Sequence, residues 1–458
     1  MIGRLKELAV EQGDTLFRYR VVQAAYHALV WIQFSYQLYW KGNRYAAFSA
    51  TLLCERIGRS IKRWKLPQWI LLENASLITR MRNGEDNILL DTYVKTPESI
   101  CWGKEFRGYG LEHQLRIRYP RTDGDIFRQG DLLLLKPYLG VKEPGILFIQ
   151  YNDAFSKFVS IYDPRRLAPY YRIVLEPSTW GYCDPAVLAF VGLATDVIVE
   201  AQYEADYRYI ESLHSNLKPV RIGAGDWIDH EKFEPKSISE KSYDIVMVAS
   251  WQKIKRHALL FDAVSRCKDV VAKVALIGYP SSGRTKEDIV SEAKKYGVEE
   301  KIDIYERISR SDVSRIVSKA KLGVMLTLRE GANKGIYECL FSGVPVIISD
   351  RNVGVNRDHI NKFTGIVSSD EALAEAIKNM LGNIGKYDPR RWAEKTTGYS
   401  NASRMLNEYI RELAVSGGQE WTQDLYVKKN DTNARYVFEQ ERLLADRAID
   451  HLRLFLRN

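Results

Sequence analysis

The sequence predicts an α/β protein of two doubly wound domains, each a parallel sheet with helices on both faces, with a helical extension before them and helices after them. Three observations predict it. Residues 244–381 alternate short apolar runs with helical stretches in a regular series. A looser series of the same kind occupies 86–228. Between the two, residues 229–243 (DHEKFEPKSISEKSY) are polar, contain Pro235 and read as a linker. Strands that alternate with helices pair in parallel, because each crossover helix must return the chain to the same edge. A length of 458 residues suits two or three such units.

In chain order, residues 1–85 form the first segment, helical and basic, with few breakers before Pro67. Its residues 1–70 hold 11 Lys or Arg against 4 Asp or Glu, most of the chain's net charge of +9. Residues 21–40 carry no formal charge, yet three Gln, a His and a Ser interrupt them, which argues against a membrane span. With the basic, bulky stretch 56–65, they predict peripheral contact of residues 21–65 with an anionic membrane surface. No apolar core of a signal peptide precedes them, and the expected place is the cytoplasm, including the cytoplasmic membrane face. Five scattered cysteines (Cys54, Cys101, Cys183, Cys267, Cys339) form no metal or disulfide pattern and suit a reducing compartment. The basic segment matches no nucleic-acid module, so no nucleic-acid partner is expected.

The second segment, 86–228, predicts strands at 87–94, 131–135, 146–151, 172–175, 196–200 and 220–222, with helices at 185–193 and 203–213. Asp123-Gly124-Asp125 lies in a stretch with the chemistry of a turn, and no metal site is assigned to it. After the linker, residues 244–395 predict strands at 244–249, 273–277, 302–305, 322–326 and 345–349. The helices between and after them are 257–266, 286–296, 311–320, 334–341 and 372–381. The last segment, 396–458, is helical, is expected to pack back on the first domain, and ends in an amphipathic helix over 434–458.

The chemistry concentrates in 326–338 (LTLREGANKGIYE), where an apolar strand ends, a turn follows and a helix opens. A parallel sheet presents ligands at the carboxyl ends of its strands, and a helix N-terminus there offers free N–H groups to a diphosphate. Gly331 permits close backbone approach, Lys334 adds a full charge, and Glu330 and Glu338 accept hydrogen bonds from hydroxyls.

Glu330, seven residues and Glu338 resemble the hallmark of the retaining glycosyltransferases of the GT-B fold, the large family numbered four. Further stretches carry the resemblance: 275–278 (ALIG), 342–347 (SGVPVI), 363–367 (FTGIV) and 222–225 (IGAG) with Phe233 and Pro235. It is concentrated over 220–385. The resemblance implies two Rossmann-like domains facing across a cleft, the N-terminal one for the acceptor and the C-terminal one for a nucleoside-diphosphate sugar. It implies that Glu338 holds ribose hydroxyls, Glu330 contacts the transferred sugar, and Gly331, Ala332, Asn333 and Lys334 face the diphosphate or sugar. Tyr305, Arg307 and Ile308 would border the base. After the first strand of the domain the family carries an Arg and a Lys that grip the diphosphate. Lys255 matches the Lys, Ser250 stands where the Arg is expected, and Lys253 or Arg256 is the replacement the sequence offers.

Lys255 and Glu330 are thus the expected catalytic pair. On the acceptor side the loops after two strands offer Asn152, Asp153, Glu176, Ser178 and Tyr182. The co-substrate implied is a UDP or GDP sugar, with no resident cofactor and no metal, and the acceptor is a glycan or a lipid-linked chain. The missing Arg leaves a second reading open, a catalytically silent relative that binds carbohydrate or scaffolds other proteins.

Overall fold

The computed structural model describes residues 130–456, apart from 178–186, 188, 189, 213, 214, 282, 329, 331, 332 and 432. The expected basic extension, its membrane-facing stretch, the strand at 87–94 and Asp123-Gly124-Asp125 lie outside the described residues. Among the described residues no helix is long and apolar enough to cross a membrane.

The first unit is a five-stranded sheet in the order β1-β2-β3-β4-β5: Leu132–Lys136, Gly145–Gln150, Tyr171–Glu176, Val197–Glu200 and Leu217–Val220. β2 to β5 run parallel, as the alternation predicts. β1 departs from that expectation and pairs antiparallel with β2, because a short turn rather than a helix joins them. Helices α1 (Asn152–Ile161), α2 (Pro164–Leu167) and α3 (Glu204–Ser212) lie between the strands. Alternate strand residues point to opposite faces. Leu147, Ile149, Ile173 and Leu175 enter a core with Phe155 and Phe158 of α1, while Phe148, Val174 and Ile198 enter a second core on the other face.

The second unit is a six-stranded parallel sheet. β6 (Tyr243–Val248), α4 (His257–Ser265), β7 (Val274–Gly278), α5 (Lys286–Lys295), β8 (Ile302–Glu306), α6 (Arg310–Ser318), β9 (Ala320–Met325), α7 (Lys334–Phe341), β10 (Val346–Ser349), β11 (Gly365–Ser368) and α8 (Leu373–Gly382) follow in sequence. Their spatial order is β11-β10-β9-β6-β7-β8. The chain thus builds β6, β7 and β8 outward in one direction, returns to the other side of β6, and builds β9, β10 and β11 outward again. The reversal lies between β6 and β9, which pair directly. At such a switch point the loops leaving two adjacent strands diverge to opposite faces and open a crevice.

Helix α9 (Pro389–Thr396) closes this unit, and α10 (Tyr399–Ser416) crosses to the first one. There Ala402, Leu406 and Ile410 complete the core on the second face of the first sheet. The remainder differs from the expected single helix. A two-stranded hairpin of β12 (Lys428–Asn430) and β13 (Ala434–Tyr436) precedes α11 (Glu439–Ala448) and a 3-10 turn at Ile449–Phe455. Tyr436 explains the strand: its hydroxyl donates to the Leu134 carbonyl at 3.0 Å and accepts from the Leu134 N–H at 2.9 Å.

The two units meet through side chains near the linker. Thr397 Oγ1 donates to Asp226 Oδ1 at 2.6 Å, and His359 Nδ1 of the second unit lies 3.7 Å from the same oxygen. Gly225 is required by proximity, since a β-carbon there would lie 2.3 Å from the Tyr337 ring.

Candidate active site

The crevice at the switch point gathers residues that the sequence keeps far apart. After β6 the chain makes a 3-10 turn, Lys253–Lys255, and Arg256 takes a left-handed conformation (φ 64) before α4 begins. That turn aims Lys255 across to the loop leaving β9, where its ammonium is bonded to the Glu330 carboxylate over a separation of 75 residues. Both side chains are about 15% exposed, Lys255 at 15% and Glu330 at 14%. The pair is therefore largely screened from water.

Glu330 is held by its backbone. Its N–H donates to the Val353 carbonyl at 2.9 Å, and the Val353 N–H donates to the Leu328 carbonyl at 2.9 Å. The next residue, Gly354, has φ +105, and a β-carbon on it would lie 1.8 Å from the Glu330 carbonyl oxygen. Gln202 Nε2 of the first unit donates to the Gly354 carbonyl at 2.7 Å, so this brace is anchored from across the crevice.

Glu338 lies in α7, is 2% exposed and bonds Arg310, at the start of α6. Lys334, in the first turn of α7, donates to the carbonyl of Asp431 at 2.9 Å. Burial lowers the Lys334 ammonium below the ordinary lysine value, against the opposing pull of the Glu176 carboxylate. Asn333 is 5% exposed and its Nδ2 has no hydrogen-bond partner among the described residues. Gly331 and Ala332 lie outside the described residues.

The other residues expected on the donor side have surroundings of their own. Arg256 is not a free cation: it pairs with Asp370 and donates to Ser349 Oγ at 3.2 Å, at the ends of strands. Lys253 is exposed. Ser250, at the expected Arg position, is 7% exposed. The Tyr305 hydroxyl is taken by Tyr243, whose own hydroxyl reaches Asp303 at 2.7 Å. Arg307 is exposed and left-handed (φ 51), and Ile308 packs on the core beneath α6.

On the other wall, Asn152 and Asp153 open α1 directly after Tyr151, which is itself left-handed (φ 73). Tyr151, Arg256 and Arg307 are the positive-φ non-glycine residues among those described, and each follows a strand or turn at a carboxyl edge. Strain of this kind collects where loops are held for function. Ser178 and Tyr182 lie outside the described residues.

Glu176 is fully buried, and the tail occupies it. Lys428 Nζ lies 3.1 Å from Glu176 Oε2, and Asn430 Nδ2 donates to both carboxylate oxygens at 3.1 Å. Lys428 also lies 3.7 Å from the Trp227 ring centroid and 3.9 Å from that of Phe148. Burial and the adjacent Glu176 carboxylate raise the Glu200 carboxyl well above the ordinary value. Glu176, expected on the acceptor side, is bonded to the hairpin in this structure.

A cavity of roughly 690 Å3 runs along α4 and α5, lined by Lys253, Arg256, His257 and Arg284 among others. Neither Glu330 nor Glu338 lines it. His257 in its wall is 1% exposed, and neither ring nitrogen has a hydrogen-bond partner among the described residues. Burial, then the charges of Arg284 and Lys255, push its pKa down to about 3 from 6.5. The unfolded chain binds a proton there that the folded chain refuses, so this contribution is complete above about pH 6.5 and is lost as pH falls toward 3. Melting temperature is expected to fall between pH 7 and 5. In His257→Gln the slope should be shallower by up to about one proton, or about 1.4 kcal/mol per pH unit. Equal slopes in the two proteins would contradict this assignment. Among the described residues no cluster of three or more His, Cys, Asp or Glu has the arrangement of a metal site.

Residues 229–397 match the family model described as Glycosyl transferases group 1, a little over a third of the chain. No curated protein matches the chain. Several solved structures are similar. Sucrose-phosphate synthase from Thermosynechococcus elongatus is 15% identical, with 59% of this chain and 74% of that one covered, at a TM-score of 0.48. The Anabaena protein HepE, in complex with UDP and glucose, is 15% identical over 59% of this chain and 78% of its own, at a TM-score of 0.44. The lipopolysaccharide outer core galactosyltransferase WaaB is 14% identical over 58% of this chain and 75% of its own, at a TM-score of 0.42.

Proposed function

We propose that the protein is a glycosyltransferase that takes a sugar from a nucleoside-diphosphate donor, with UDP and GDP the first carriers to test, and delivers it to a glycan or lipid-linked acceptor. The observation that carries this reading is the meeting of Lys255 and Glu330 at the switch point, beside the start of α7, inside the segment that matches the glycosyl transferase model.

In this reading Glu338 receives the ribose hydroxyls, and the free N–H groups at the start of α7 face the diphosphate. Lys255 stabilises the charge that grows on the leaving phosphate, and Glu330 orients both Lys255 and the sugar. The acceptor oxygen attacks the anomeric carbon on the face that the diphosphate leaves. The carbon–oxygen bond to phosphate breaks, the new glycosidic bond forms, and a phosphate oxygen takes the acceptor's proton. Configuration is retained, and no protein nucleophile or metal takes part.

The test is thermal stabilisation by UDP, GDP, ADP and CMP. Binding to the folded state alone raises stability by mass action. One nucleotide is expected to raise Tm in the wild type. In Glu338→Ala that nucleotide's affinity should fall by about 10- to 100-fold, the worth of hydrogen bonds to a charged group. No shift with any nucleotide would favour the silent, carbohydrate-binding relative.

A further inference from the structure

The tip of the β12–β13 hairpin stands in the crevice, and Asp431 there collects an unusual amount of positive charge. Its backbone carbonyl oxygen accepts from Lys334 at 2.9 Å and from Arg310 at 3.2 Å. Its carboxylate is 2.9 Å from Lys232 and 3.0 Å from Arg435. Four cations therefore converge on Asp431, and three of them have a second carboxylate partner: Arg310 pairs with Glu338, while Lys232 and Arg435 lie 3.5 and 3.7 Å from Asp229. Lys334 and Arg310 Nη2 meet on the uncharged carbonyl oxygen, and Arg310 Nε also lies 3.8 Å from the Asp431 carboxylate. Asn333, the residue before Lys334, is buried and its amide nitrogen has no partner among the described residues.

An uncharged carbonyl is a weaker partner for the Lys334 ammonium and for Arg310 Nη2 than an anionic oxygen would be. The base of the hairpin is fixed by Lys428 and Asn430 on buried Glu176, so the tip is presented at the crevice by a rigid support. Arg310 also binds Glu338, which links the two-cation position directly to the expected ribose site.

We infer that Arg310 and Lys334 together bind a phosphate oxygen of the nucleoside-diphosphate donor, and that the Asp431 carbonyl caps this position until the donor displaces it. The inference rests on the donor reading above. It also supplies a cation in place of the Arg that Ser250 does not provide. Lys232 and Arg435 hold the cap down through the Asp431 side chain, so the closed and open positions of the tip compete with the donor for the same two cations. A ligand whose site is partly closed binds with an affinity reduced by the open fraction.

The two halves of the inference predict shifts of opposite sign. Titration calorimetry of the full-length protein with UDP and GDP provides the readout. Arg310→Gln is expected to raise Kd by about tenfold or more. Asp431→Ala frees the tip from Lys232 and Arg435 and is expected to lower Kd by roughly two- to fivefold. Ligand-free melting temperatures of both variants show that each is folded. Tight binding by the wild type with unchanged Kd in both variants overturns the cap and the role of Arg310, and leaves the donor reading standing. Binding by Asp431→Ala where the wild type binds weakly supports the cap. Absence of binding by the wild type and Asp431→Ala alike removes the donor reading and this inference with it.

Discussion

Replacing Lys255 with alanine is expected to lower kcat by on the order of 100- to 1000-fold, the effect of removing one fixed charge-stabilising group from a screened site. The 3-10 turn and the left-handed Arg256 set the direction of Lys255, and Glu330 sets the position of its ammonium. No other described cation occupies that position, since Arg256 is committed to Asp370. The measurement is nucleoside diphosphate release from the sugar donor that the nucleotide panel identifies. Alanine leaves Glu330 with a half-buried, uncompensated charge, so some stability is lost as well. The double variant Lys255→Ala/Glu330→Gln removes that charge and should regain stability without regaining activity. A kcat within threefold of wild type in Lys255→Ala contradicts the role assigned to this residue.

Gly354→Ala is expected to be the most damaging single methyl group near the site. The added β-carbon would sit 1.8 Å from the Glu330 carbonyl oxygen at a φ of +105, a conformation that L side chains rarely adopt. The loop must move, and with it the Val353 carbonyl that holds the Glu330 N–H. The cost is about 3 kcal/mol or more. A fall in Tm of roughly 5–10 °C accompanies it. Activity should fall further than stability, because the displacement is passed to Glu330 and, through Gln202, to the opposite wall. Differential scanning calorimetry together with donor turnover at a temperature where the variant remains folded separates the two effects. A variant with wild-type Tm would show that the loop is looser than its contacts indicate.

The alternation of the second half was legible in five of its six strands because each of those is a short apolar run, while β11, four residues opening on Gly365, was not read as a strand. The helix at 334–341 has the bounds that the periodicity gives it, and α4 starts at the expected residue. Lys255 and Glu330 were named from the sequence through the resemblance, yet their contact depends on the order in which six strands are laid down. Spacing along the chain does not encode that order. Arg256 looked like a free cation because its partner, Asp370, is more than a hundred residues away. Arg310, Gly354 and Asp431 carried no local signal: each acquires its role from a residue in another element. The hairpin at 428–436 was missed for a different reason. Its strands are three residues each, rich in Lys, Asn and Arg, and are made by burial against Glu176 and Leu134 rather than by any apolar pattern. Glu176 itself was read as a cleft residue because it ends a strand at the carboxyl edge. Its carboxylate bonds Lys428 and Asn430, partners more than 250 residues away that no local pattern announces.

The central claim is that a nucleoside diphosphate binds in the crevice between the loops leaving β6 and β9. The structure of the protein with the nucleotide that stabilises it tests this most directly. The account predicts the diphosphate between Lys255 and the first turn of α7, the ribose hydroxyls on Glu338, and the tip at Asp431 displaced from Lys334 and Arg310. Nucleotide found instead in the cavity along α4 and α5, with Glu338 still bonded to Arg310 and Asp431 still in place, would contradict it.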